Sequence, residues 1–125
     1  LEKNQVERIA KQAFDFWVEE LPLEEFTLEL RVETGDEDNR GSCTMVAENR
    51  DAIVRINPEN CLTNKQIRET VKHELLHALT CEYQHFWELT KPDIPDDKQD
   101  VYERLWASFW ETLLRRLERI WPEEE

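Results

Sequence analysis

Val6, Ile9, Ala10, Ala13, Phe14, Trp17, Val18 and Leu21 recur at three- and four-residue spacing, the period of a helix that buries one face, and Pro22 stops it. From Glu25 to Glu33 the period changes to two. Phe26, Leu28, Leu30 and Val32 alternate there with charged or hydroxyl-bearing residues, which predicts a strand with one buried and one wet face. The Asp- and Asn-rich stretch from Gly35 to Gly41 is a turn, and the runs Ser42 to Glu48 and Ala52 to Asn57, joined by Asn49-Arg50-Asp51, form a hairpin. Pro58 closes the sheet region. Thr63 and Gln66 are a capping-box signature for a helix running to about Phe86. Pro92 and Pro95 break the connection after that helix, and a last helix is expected from about Asp97 to Trp121, with Pro122 after it. The order is helix, three strands, helix, helix. No repeat or linker divides the 125 residues, so 1–125 reads as one α+β domain, a small three-stranded twisted sheet packed on three helices.

Composition narrows what such a domain does. The chain carries 16 Lys+Arg against 29 Asp+Glu, a net charge of -13, and no basic stripe offsets it, which argues against direct nucleic-acid binding. No apolar run approaches the roughly 20 residues that span a bilayer, and the N-terminus lacks the apolar core of a secretory signal. No membrane partner is expected. Cys43, Cys61 and Cys81 are far apart and form no C-x-x-C pair. They suggest neither a disulfide framework nor a thiolate zinc site, and fit a reducing cytoplasm.

The chemistry lies in the central helix. His73-Glu74-Leu75-Leu76-His77 is an H-E-x-x-H motif, and the i, i+4 spacing puts both imidazoles on one face, about 40° apart and one turn along. Two such nitrogens can grip one zinc ion, and Glu74 would project towards its water as general base. The bland alternative is a polar flank on a helix whose apolar face is Ile67, Val71, Leu75, Ala78 and Leu79.

A catalytic zinc site usually has three protein ligands, so a third must come from elsewhere. His85, eight residues after His77, would lie about 12 Å further along a continuous helix and needs a break that no glycine supplies. Cys81 continues a straight row, which cannot converge on one ion. Glu103 differs. Wound at about 100° per residue, the last helix places Tyr102, Leu105, Trp106, Phe109, Trp110, Leu113, Leu114, Leu117, Ile120 and Trp121 in one broad arc, and Glu103 falls inside it. Glu111 and Glu118 fall outside, beside Arg104 and Arg115, as solvated charge. A carboxylate on a buried face needs a partner, and a metal held by His73 and His77 is the strongest candidate, the alternatives being a pairing with Arg or a fringe position on a splayed helix.

His73-Glu74-x-x-His77 followed on a later helix by Glu103 resembles the gluzincin branch of zinc metallopeptidases. The stretches Thr70 to Leu79 and Val101 to Leu105 are similar to small metallopeptidases predicted in phage and bacterial genomes. The resemblance covers roughly Ala52 to Leu114 and implies a minimal zincin-like fold. It also implies Zn2+ on His73, His77 and Glu103, and a protein or peptide substrate hydrolysed with Glu74 as base. Departures accompany it. No histidine follows His85 to stabilise an oxyanion, and Ala107 stands where an acidic partner is usual, so a carboxylate orienting His73 or His77 has to come from elsewhere. The metzincin continuation is absent, since Thr80 and Tyr83 stand where Gly and His would be required. A substrate peptide is expected to lie extended along an edge of the sheet. The alternative from another class is an acidic protein-binding module, a nucleic-acid mimic or a binder of basic partners, with a structural or degenerate metal site.

Overall fold

The computed structural model describes residues 2–35, 38–46, 49–61 and 63–120. The first helix, α1 (Lys3–Glu20), buries Val6, Ile9, Ala10, Ala13, Phe14 and Trp17, the face its periodicity predicted, and ends where the Leu21 N–H bonds back to the Trp17 carbonyl before Pro22. The strands are β1 (Thr27–Val32), β2 (Gly41–Val46) and β3 (Asp51–Ile56). β2 and β3 are the expected antiparallel hairpin, with Cys43 opposite Val54. Arg50, in its turn, takes the left-handed φ of 54° that a tight reversal demands. The expected end of the second run, Ala47 and Glu48, lies outside the described residues.

The chain leaves β1 and skips one position to lay β2 on the far side. It then returns through the middle as β3, so the order is β1-β3-β2 with β1 and β3 parallel. This makes β3 the central strand, with Ala52, Val54 and Ile56 fully buried, while alternate residues of β1 are half-buried.

Among the described residues four α-helices, not three, complete the α+β architecture. The expected helix from Thr63 to Phe86 is divided into α2 (Asn64–Leu79) and α3 (Cys81–Thr90). Thr63 caps α2 by accepting from the Gln66 N–H at 3.1 Å. The break at Thr80 needs no glycine. Its hydroxyl donates to the Leu76 carbonyl at 2.8 Å and accepts from the Trp110 indole N–H at 2.7 Å, a back-bond that competes with continuation of the helix. Short 3-10 turns at Lys91–Asp93 and Asp96–Lys98 flank Pro95 and lead into α4 (Gln99–Ile120). Trp121 and Pro122, where this helix was expected to end, lie outside the described residues.

The core lies between α1, α2 and the sheet, around Ile67, Val71, Leu75, Leu76, Val54 and Ile56. α4 joins through Trp110 and Leu114, and its first half rests on α3 through stacked rings: Trp106 lies 5.8 Å from Tyr83 and 5.5 Å from Trp87. The broad apolar arc expected of α4 is only partly buried, because Tyr102, Leu105, Phe109 and Ile120 are exposed. No described helix is long and apolar enough to cross a membrane.

β2 is held close to α2. A Cβ on Gly41 would stand 2.6 Å from the Arg55 carbonyl oxygen and 2.8 Å from Thr70 Cγ2, a gap that only glycine fits. Gly41→Ala is therefore expected to destabilise the fold by about 1–3 kcal/mol, the usual cost of overpacking. Urea unfolding of both forms measures it, and an unchanged midpoint would mean that β2 lies further from the helix.

Candidate metal centre

The motif face of α2 opens into a cleft of about 1090 Å³, walled on one side by 39–45 and on the other by Trp110, Glu111 and Glu118 of α4. His73 and His77 stand edge to face across one turn, ring centroids 4.9 Å apart. Glu111 enters from α4. Its Oε1 lies 3.4 Å from His77 Nε2 and its Oε2 3.7 Å from His73 Nε2. These separations exceed a good N–H···O bond. Each is near the roughly 3.3 Å that separates two donors of a tetrahedral zinc ion, with a different oxygen of Glu111 facing each histidine. Among the described residues, His73, His77 and Glu111 can each offer one ligand atom within 4.8 Å of the others. The donor set, two imidazoles and one carboxylate, could hold a metal ion, and nitrogen and oxygen donors of this kind suit zinc.

Packing sets this arrangement. The Trp110 indole lies against His77, centroids 4.6 Å apart, and bonds Thr80 at the end of α2. Trp110 thereby fixes how far along its axis α4 sits, and Glu111, the next residue, arrives level with the motif. His73 is fixed on its other side, where Nδ1 lies 2.7 Å from Glu118 Oε1.

The electrostatics suit a ligand set with a neighbouring base. Burial, helped by His73, lowers the His77 pKa to about 4, so its ring is neutral at pH 7 and has a lone pair to give. Glu74 is buried, 7% exposed, and lines the cleft. Burial drives its carboxyl pKa up, opposed by His73 and aided by Glu111, to about 7.

The structure does not bring Glu103 to the two histidines. Glu103 is exposed on the first turns of α4, eight residues and about 12 Å before Glu111. Its angle matches the apolar arc, but over these first turns much of that arc faces solvent, as the exposure of Val101, Tyr102 and Leu105 shows. Glu111, assigned to solvent because it flanks the apolar arc, is the carboxylate that meets both histidines. A flank next to α2 and a flank next to water look alike in sequence.

His85 and Cys81 do not join the group. Cys81 is buried and its thiol is pushed up to about 11, by burial first and Glu82 second. Cys43, also on the cleft wall, is pushed up to about 12, mainly by burial. Neither is a ready thiolate. No protein-family model, curated protein or solved structure matches this chain.

Proposed function

We propose that the protein is a zinc-dependent peptidase with His73, His77 and Glu111 as ligands and Glu74 as general base. One observation carries the reading: a carboxylate from a separate helix reaches both motif histidines at the spacing of zinc ligands, next to a buried glutamate. The gluzincin-like assignment then rests on Glu111 in place of Glu103.

Zinc bound there would supply Lewis-acid polarisation, bringing a water's pKa down to about 7 and stabilising developing negative charge on a carbonyl oxygen. Glu74 accepts the proton of the attacking water and returns it to the leaving amine. Substrate would be positioned by β2, whose outer side pairs with no described strand and which lines the cleft above the motif. A peptide added there as an extra strand would gain main-chain hydrogen bonds and run along the cleft lined by His73, Glu74 and His77.

The test combines metal analysis with a peptide-library assay read by mass spectrometry. One zinc per chain, and cleavage that a chelator stops and added zinc restores, is the expected outcome. Zinc bound without cleavage, together with recovery of a basic protein partner, would favour the acidic binding module over the peptidase.

A further inference from the structure

We infer that Glu118 is a positioning residue that fixes the tautomer and orientation of His73, and that α4 thereby holds this histidine from both sides. The inference rests on the reading of His73 as a zinc ligand. Glu111 and Glu118 are seven residues apart on α4, two turns, so they share one flank of the helix about 10 Å apart. Glu111 approaches His73 at Nε2, whereas Glu118 Oε1 meets Nδ1 at 2.7 Å, the length of a charge-assisted bond.

A carboxylate has only acceptor atoms. Nδ1 must then carry the proton and donate it to Glu118, which leaves the lone pair on Nε2, the nitrogen that faces Glu111 and the proposed ion. Without Glu118 the ring is free to place its proton on Nε2 and to rotate away. The backbone of Glu118 is itself anchored. Lys72 Nζ, on the residue before His73, donates to the Glu118 carbonyl oxygen at 2.8 Å and lies 4.9 Å from the centre of the Trp17 ring. The last turns of α4 are thus tied to the same turn of α2 that bears the ligand. This pairing supplies the orienting carboxylate that Ala107 leaves missing, from a position the sequence placed in solvent.

Two readouts test it on the full chain. In a chelator competition with zinc alone, Glu118→Ala is expected to weaken binding about 10–100-fold, the usual cost of losing a partner behind a metal-bound histidine. Glu118→Gln keeps an acceptor but loses its charge, and should lose only several-fold. In the metal-free protein at pH 8, 15N NMR of the His73 ring is expected to show the Nδ1–H tautomer in wild type and in Glu118→Gln, and a shift towards the Nε2–H tautomer in Glu118→Ala. A surface ion pair of no consequence for the site would move neither readout.

Zinc affinity within twofold of wild type in both variants, or a His73 ring protonated on Nε2 in wild type, overturns the inference while the metal site stands. A wild type that binds no zinc overturns the metal site and this inference together. If Glu118→Ala does not fold, the several-fold loss in the near-isosteric Glu118→Gln decides.

Discussion

Glu111→Ala is expected to lose zinc by more than about 100-fold, beyond what removal of an outer partner costs, while Glu103→Ala keeps wild-type affinity. The contrast is large because the two glutamates sit in opposite situations on one helix. Glu111 Oε1 is 3.4 Å from His77 Nε2, whereas Glu103 is exposed two turns away. Removing Glu111 leaves two imidazoles, and two ligands do not make the three-ligand site a catalytic zinc usually requires. His73→Ala and His77→Ala should match Glu111→Ala, and His85→Ala and Cys81→Ala should match Glu103→Ala. Competition against a chromophoric chelator at pH 7.5 ranks all six. If Glu103→Ala releases the metal and Glu111→Ala does not, α4 sits two turns from its place in this structure.

The same pair shows how much of the site was legible in the sequence. The motif was, because i, i+4 spacing on a helix dictates that His73 and His77 face one point whatever surrounds them. So were α1, the alternation of β1 and the hairpin, each set by a local period. What periodicity yields for α4 is an angle around the axis. It does not yield the level along the axis, which is set by Trp110 on Thr80 and by the stack of Tyr83, Trp87 and Trp106, contacts between residues 19 to 30 apart in sequence. Glu103 had the right angle at the wrong level. Glu118 was read as solvated for a related reason, since its partner on another helix cannot be seen from its own.

The break at Thr80 was missed because a search for helix ends looks for glycine or proline, and a threonine hydroxyl held by a distant indole has the same effect. The parallel pairing of β1 with β3 was likewise open. Local pattern gives each strand its faces but not its neighbours, and strand order is set by contacts between segments far apart in the chain.

Replacing Glu74 by Gln is expected to separate chemistry from binding and to raise stability as well. Gln keeps the side-chain shape but cannot take a proton, so the variant should hold zinc and lose hydrolysis by about 100-fold or more. The second effect comes from burial. In the metal-free protein the Glu74 pKa stands at about 7 against an ordinary 4.5. A raised carboxyl pKa means the fold binds the proton more tightly than the unfolded chain does. Its contribution is favourable below about 4.5 and is lost progressively as pH rises through about 7. At pH 8 the fold therefore carries a buried carboxylate at a cost on the order of 3 kcal/mol, and Gln removes it. His77 has the opposite dependence, its lowered pKa costing stability as pH falls from about 6.5 towards about 4, but both proteins share it and it cancels in the difference. Chelator-treated Glu74→Gln should thus unfold at higher urea than chelator-treated wild type at pH 8, and the two should converge near pH 4. Equal midpoints at pH 8 would mean that Glu74 is solvated, and undiminished cleavage by the variant would remove it from the role of base.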